Sequence, residues 1–311
     1  MFDSPLSSSA YDVLRVDVRA ESEELRRAYR LRMRETHPDT GGDAGEFVRV
    51  QRAWELVGTP DARAAYDRGH GFGAAGGFAP SSADAPSWRP ASRTADTRPR
   101  ARSFGQPGGW RRERYLTLIR EWAGRGADLP DPYDPALVRS APHEVRRLLA
   151  DALAEEETAR VVADLGMGYT VWHDVASGRG GSDAKLDHIV LGPSGLYGVL
   201  SEDFGGPVRF RRADLISDSV EGSPVAELLG RMRTIAKSAG VRFSGAIVVL
   251  PDDDVPQAIS ELGRVKGVPV AVVGRSALST VLRRGVAGAR DIGGNEVFDV
   301  RTRLQQVVRF A

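Results

Sequence analysis

Leu25-Arg26-Arg27-Ala28-Tyr29-Arg30-Leu31-Arg32-Met33-Arg34-Glu35-Thr36-His37-Pro38-Asp39-Thr40-Gly41-Gly42 decides how the first part of the chain folds. Leu25, Ala28 and Tyr29 recur at i, i+3 and i+4, the spacing of one helix face, and Arg26, Arg27, Arg30 and Arg34 fall on the other side. Ser22 is placed to cap this helix, and Glu23 and Glu24 follow in the first turn, where acids complement the helix dipole. Pro38 disfavours helical backbone at His37 and so ends the helix, and Gly41-Gly42 continue the turn. A second helix carries Phe47, Val50, Trp54 and Val57 in a single stripe, and Thr59-Pro60 opens a last short helix ending near Asp67. Two antiparallel helices packed on these stripes hold His37-Pro38-Asp39 at an exposed tip.

Tyr11-Asp12-Val13-Leu14 before this stretch, and Ala53-Trp54-Glu55-Leu56 and Asp61-Ala62-Arg63-Ala64-Ala65-Tyr66-Asp67 after it, complete a longer pattern. Residues 9–68 thereby resemble the J domain of DnaJ cochaperones, and a J domain is expected over residues 1–68. The resemblance implies docking on a DnaK-type chaperone and stimulation of its ATP hydrolysis. It assigns the contact to His37, Pro38 and Asp39 and to the basic face Arg26, Arg27, Arg30 and Arg34. His37 and Asp39 supply hydrogen bonds and Pro38 fixes the turn; none does bond chemistry. Read alone, the arginines would be a solvated helix face. Arg32 departs from the pattern, standing where the family usually has an apolar residue, and its stem can lie along the core edge.

The chain has 311 residues, enough for about two domains. Hydrophobic residues make up 41% and charged residues 27%, a globular composition, and the net charge of +1 gives no global field that would favour nucleic acid or a membrane. No cysteine occurs, which removes disulfides, thiolate metal sites and the zinc module of longer DnaJ proteins, and fits a reducing cytoplasm, the expected location. The N-terminus has neither a basic region nor an apolar core, so no signal peptide is expected. No run approaches the ~18 apolar residues of a membrane span, so no membrane partner is expected.

Residues 69–109 are rich in Gly, Ala, Ser and Pro and are expected to be a disordered linker. Gly71, Phe72, Gly73, Gly76, Gly77 and Phe78 form a short Gly/Phe segment, and Arg89, Arg93, Arg98, Arg100 and Arg102 make the stretch basic. Residues 110–143 read as a helical connector, with Tyr115, Leu116, Leu118, Ile119 and Trp122 forming an apolar face that needs a partner.

Residues 144–311 read as an α/β domain with a mixed sheet. Residues 145–165, 224–239 and 276–282 are expected helices. Residues 169–175, 186–191, 196–200, 243–250 and 268–273 are expected strands, with a turn at Gly192-Pro193-Ser194-Gly195. Residues 178–181, with Arg179, read as a hairpin loop. No P-loop and no Gly-x-Ser-x-Gly elbow occurs.

The run Leu186-Asp187-His188-Ile189-Val190-Leu191-Gly192-Pro193-Ser194-Gly195-Leu196-Tyr197, with Ala154-Glu155 and residues 169–175, resembles the nuclease-related domain (NERD) over roughly residues 145–285. That family looks like the PD-(D/E)xK nucleases, which hold Mg²⁺ on carboxylates and use a lysine to position the attacking water. Carried over, Glu155 is the helix acid and Asp187 the strand acid, while the Glu-x-Lys positions fall on Leu200 and Glu202. A leucine ligates no metal and a glutamate repels an incoming phosphate, so the site is read as degenerate, without catalytic residues and without a metal.

A migrated site is the alternative. Lys185 and Asp187 share one strand face, as do Leu200 and Glu202; if those faces coincide, Asp187 and Glu202 become metal ligands beside Lys185. The plainer readings are a solvated acidic face for Glu155, a turn-capping acid for Asp187, and strand-edge positions for His173 and His188. For Asp252-Asp253-Asp254 the plainer reading is a solvated loop.

The expectation is a non-enzymatic J-domain cochaperone. Its partners would be a DnaK-type chaperone and a client protein, with nucleic acid a further candidate and no cofactor. The alternative is a metal-dependent nuclease, for which Mg²⁺ would be required.

Overall fold

Ser9 starts helix α1 (Ala10–Leu14) through a reciprocal capping box, in which the Asp12 amide donates to Ser9 Oγ at 3.1 Å and the Ser9 amide to Asp12 Oδ2 at 2.9 Å. The computed structural model describes residues 4–70, 88–89, 99–124, 129–178, 185–211, 213–217, 220 and 222–311. These form two units, one drawn from Ser7–Arg89 and Pro130–Ala141, the other from Ser4–Leu6, Pro90–Leu129 and Pro142–Ala311.

In the first unit α1 is followed by α2 (Ser22–Thr36), α3 (Ala44–Val57) and α4 (Pro60–His70). Leu25, Val50, Ala53 and Val57 bury against Tyr11 and Leu14, and the Tyr29 ring stacks on Trp54 at 4.5 Å. The fourth helix is tied back to the first: Tyr66 Oη accepts the Ala10 amide at 2.8 Å, and Tyr11 Oη donates to Asp67 at 2.5 Å. Burial and the bond to Asp67 push the Tyr11 phenol up to about 12. Ser22 is not the cap that the sequence predicts. The Leu25 amide bonds to the Glu21 carbonyl, so Glu21 is the N-cap and Ser22 is already helical, in the register that buries Leu25.

Arg32 is buried and joins three helices. Its Nε donates to the Val13 carbonyl at 3.3 Å, and its two terminal nitrogens meet Glu35 and Glu46, each at 2.9 Å. Both glutamates keep solvent contact, so truncation leaves them hydrated rather than stranded. Arg32→Ala is expected to cost this unit about 1–2 kcal/mol, and Arg32→Leu to recover most of that by filling the space with apolar volume. Urea unfolding read from amide protection of α2 and α3 checks both.

The second unit begins earlier than expected. Arg102–Phe104, inside the expected linker, forms strand β1, paired in parallel with β2 (Thr170–Ala176). Of the expected linker, residues 71–87 and 90–98, including its Gly/Phe segment, lie outside the described residues, as do residues 179–181 of the expected hairpin loop. Residues 110–143 are not one connector. Helix α5 (Gly109–Ala123) packs on α7 (His143–Ala163) in the second unit, burying Arg112, Tyr115 and Ile119. Helix α6 (Pro135–Ser140) belongs to the first unit, where Arg139 lies over the Trp88 ring at 5.6 Å.

The sheet adds β3 (Lys185–Gly192), β4 (Gly195–Ser201), β7 (Gly245–Leu250), β8 (Ile259–Val265) and β9 (Val268–Gly274), in the order β1-β2-β3-β4-β7-β9-β8. A separate hairpin, β5 (Arg209–Arg211) and β6 (Asp214–Ile216), lies between β4 and β7 in the chain. Strands β2, β3 and β4 form an antiparallel meander, and β4, β7 and β9 run parallel, so the sheet is mixed as expected. Helices α8 (Pro224–Ala239) and α10 (Gly294–Val307) cover one face through Leu228, Met232 and Leu304. Helices α7 and α9 (Leu278–Arg284) cover the other through Val162, Leu278 and Leu282. Among the described residues no helix is long and apolar enough to cross a membrane.

Candidate functional site

The break between α2 and α3 is built by three local constraints. His37 takes φ −65° and ψ 128°, extended as the following proline requires, and Pro38–Thr40 closes a single 3-10 turn. His37 Nδ1 accepts the Asp39 amide at 3.2 Å and lies 3.7 Å from Asp39 Oδ2. The Gly42 amide returns to the His37 carbonyl at 3.0 Å, and a Cβ on Gly42 would fall 2.3 Å from the Thr36 carbonyl carbon, so only glycine fits. The His37 ring packs edge-on against Phe47 at 5.1 Å. The Asp39 side chain is 88% exposed. Arg26, Arg30 and Arg34, spaced by four residues, and Arg27 beside them are all exposed along α2. The turn and the arginines thus lie along one exposed, basic edge.

In the second unit, Glu155, Asp187 and Glu202 enter a larger buried cluster. Asp151 and Glu155 project from α7 at i and i+4, Lys185 and Asp187 from β3 at i and i+2, Asp174 from β2, and Glu202 from the residue after β4. Lys185 Nζ sits 2.6 and 2.7 Å from the two Glu155 oxygens, 2.6 Å from Asp174 Oδ1 and 3.0 Å from Asp187 Oδ1. Arg111 of α5 pairs with Asp151, reaches Glu155 at 2.6 Å, Glu202 at 3.4 Å and Asp187 at 3.9 Å. Arg147 reaches Glu202 at 3.4 Å. Backbone amides complete the shell: Gly108 donates to Glu155 Oε2 at 3.1 Å, Trp110 to Asp174 Oδ2 at 3.1 Å, and Ser201 to Asp187 Oδ2 at 2.9 Å. Gly108 approaches so closely, at φ 68°, that a Cβ would lie 2.7 Å from the Ala152 carbonyl oxygen.

Burial and the nearby Asp187 push Glu155 up to about 8, against the pull of Lys185 and Arg111. Burial opposes ionisation of Asp187 too, but Lys185, Arg111 and the Ser201 amide outweigh it and hold Asp187 well below the usual carboxylate range. Burial likewise disfavours the Lys185 ammonium, yet Asp187 and Glu155 keep it charged.

This donor set does not fit Mg²⁺. The oxygens of Glu155, Asp174 and Asp187 converge on an ammonium that uses their lone pairs, and Arg111 stands between Asp187 and Glu202. Among the described residues no group of three or more His, Asp or Glu is arranged to hold a metal ion. The migrated arrangement therefore meets only halfway. Lys185 and Asp187 do touch, but Leu200 belongs to the core on the other face, and β4 ends at Ser201, so strand alternation does not carry Glu202 to Lys185. Asp187 accepts an amide from the neighbouring strand rather than capping a turn.

His173 and His188 are not at a strand edge. They face each other across β2 and β3, buried, with their Nδ1 atoms 2.7 Å apart and their Nε2 atoms on Ser103 and Ser201 at 2.9 and 3.1 Å. Burial lowers His173 to about 3 and His188 to about 4, so both rings are neutral and the Nδ1 pair shares a single proton. Asp174 takes φ 50°, and this local break in alternation lets His173 and Asp174 both reach the polar side. In the Asp252–Asp254 turn, Asp252 accepts from the Ser276 amide and hydroxyl, while burial and then Asp203 push Asp254 up to about 7.

Sequence reasoning missed Arg111, Arg147, Asp151 and Asp174. Asp151 carried a signal, an acid one turn before Glu155 in a stretch of helix otherwise apolar at Leu149, Ala150 and Ala152. Arg111 carried none, because it lies 44 residues from Glu155 (155 minus 111) on a separate helix.

The DnaJ domain family matches residues 9–67. The chaperone protein DnaJ of Thermosynechococcus vestitus is 45% identical over 69 residues, covering 21% of this chain and 18% of that protein. Chaperone protein DnaJ 1 of Cutibacterium acnes is 38% identical over 66 residues, 21% of this chain and 17% of that protein. The mitochondrial protein import protein mas5 of Schizosaccharomyces pombe is 43% identical over 70 residues, 22% of this chain and 17% of that protein. The chain thus spans less than a fifth of the length of these relatives. No solved structure matches.

Proposed function

We propose, from the J domain at residues 9–67, that this protein docks on a DnaK-type chaperone and stimulates its ATP hydrolysis, while the second unit selects a client. The observation that carries the reading is the His37-Pro38-Asp39 turn, held by its own hydrogen bonds beside the exposed stripe Arg26, Arg27, Arg30 and Arg34. Binding energy from such an edge acts by favouring one state of the partner ATPase; it supplies no reacting group. The cysteine-free sequence fits work in a reducing cytoplasm.

The second unit reads as a nuclease-related domain whose catalytic site has become structural. Lys185 and Arg111 neutralise its acids from within, and Leu200 faces the core. No observation favours the nuclease alternative, which needs Asp187 and Glu202 to meet at a metal.

The test is steady-state ATP hydrolysis by the DnaK-type chaperone of the same source, with the wild-type chain and with His37→Gln. The substitution sits on a half-exposed ring and leaves the helices intact. Stimulation is expected to fall at least tenfold. Equal stimulation by a folded His37→Gln chain would remove this reading.

A further inference from the structure

One edge of the second unit carries exposed phenylalanines beside arginines, and neither of the sites above uses them. Strand β1 is an edge strand, and all three of its residues are exposed. Arg102 and Phe104, two residues apart, share a face. The Phe104 ring stacks on Trp172 at 6.0 Å with an interplanar angle of 21°. Arg301 of α10 donates from Nε to Thr170 Oγ1 at 3.0 Å, and Thr170 is the register partner of Arg102. Phe298, at i−3 on α10, holds its ring 5.4 Å from the Arg301 guanidinium. The Phe310 ring lies over Gly105, next to Phe104.

Phe104, Phe298 and Phe310 remain 36%, 62% and 49% exposed, although large apolar rings ordinarily bury. Neither arginine has a carboxylate partner among the described residues. Burial and the like charge of Arg102 both depress Arg301, a repulsion that a bound anion would relieve. The patch therefore offers paired cations and flat rings at the same edge.

We infer that this edge binds single-stranded nucleic acid, with phosphates on Arg102 and Arg301 and unstacked bases on Phe104, Phe298 and Phe310. Both halves of the patch are then used: guanidiniums take phosphate oxygens and every base offers a π-face to a ring. A duplex keeps its bases stacked on each other and leaves the rings idle. The inference goes beyond the cochaperone reading and does not depend on it.

The test is fluorescence anisotropy of the full chain with fluorescein-labelled oligo(dT) and oligo(U) of about 20 nucleotides, across salt from about 50 to 200 mM. Phe104→Ala/Phe298→Ala keeps every charge, including those of the arginine-rich stretch before β1. It is expected to weaken binding at least tenfold without changing the salt slope, since each stacked base contributes ~1–3 kcal/mol. Arg102→Ala/Arg301→Ala is expected to flatten the salt slope by about 1.4, two phosphates at ~0.7 each. Unchanged affinity in the phenylalanine variant would assign any binding to bulk charge and overturn the proposal. So would failure to bind either oligonucleotide, or capture of a mixed Glu/Tyr polypeptide in its place. All the substituted side chains are at least partly exposed, and far-ultraviolet circular dichroism confirms that each variant is folded.

Discussion

Lys185→Met is expected to destabilise the second unit by about 3–5 kcal/mol, the cost of stranding buried charge when one partner is removed. The ammonium touches Glu155, Asp174 and Asp187, all three at most 4% exposed, and methionine keeps the volume while deleting the charge. The loss should also carry a proton signature. Without the ammonium, the carboxylates are driven to bind protons in the folded state that they release on unfolding. Folded values then lie above unfolded ones, so stability of the variant falls as pH rises through the neutral range, and acid partly rescues it. Glu155→Gln in the same background removes one stranded charge and is expected to return part of the lost stability. Amide protection of β2, β3 and β4 under increasing urea reads this unit separately from the J domain. A cost below about 1 kcal/mol with an unchanged pH profile would mean that Arg111 alone balances the acids, and the account of Lys185 would be wrong.

Replacing the histidine pair by His173→Gln/His188→Gln is expected to matter far more at neutral than at acid pH. Both rings are buried and neutral, with values lowered from 6.5 to about 3 and about 4. A depressed histidine favours the folded state fully above the unfolded value and progressively less as pH falls below it. At pH 5 the unfolded chain gains about 2 kcal/mol per histidine by protonation, or roughly 4 for the pair. Glu155 and Asp254 have the opposite sign, because their folded values are raised, and their contribution is lost as pH rises. The wild-type profile alone is therefore a sum. The difference between wild type and variant isolates the pair, since glutamine cannot take up the proton. That difference should shrink by roughly 4 kcal/mol between pH 7.5 and pH 5. A difference that stays constant with pH would show that the rings titrate normally and that the Ser103–His173–His188–Ser201 row is not a neutral chain of hydrogen bonds.

The same cluster shows how several carboxylates can be buried side by side in one core. Carboxylates buried in a core need cations or donors beside them, and here Lys185 and Arg111 supply the charge together with three backbone amides. Removing both sides of such a cluster in favour of well-packed apolar residues is often neutral, whereas removing one side strands the other. Arg111 also anchors α5, whose N-cap and first turn deliver the Gly108 and Trp110 amides.

Much of this was legible in the sequence, because it follows from short-range rules. The helix face Leu25, Ala28, Tyr29 and the proline at 38 determine the hairpin and its exposed turn; steric exclusion at His37 needs no distant partner. Alternation in residues 185–187 determined that Lys185 and Asp187 share a face, and apolar runs marked the central strands β7 and β9. The edge strand β8 and the helix α10 escaped, since their exposed faces dilute the apolar pattern. What the tertiary structure alone decided is charge pairing over long separations. Nothing local places Arg111 against Glu155, recruits Arg102–Phe104 into the sheet, or turns His173 onto His188, and the left-handed Asp174 breaks the alternation from which their orientation would be read. Periodicity reports only which face a residue occupies. Which cation meets which acid is set when the layers close and water leaves, because only then does an unpaired charge become costly.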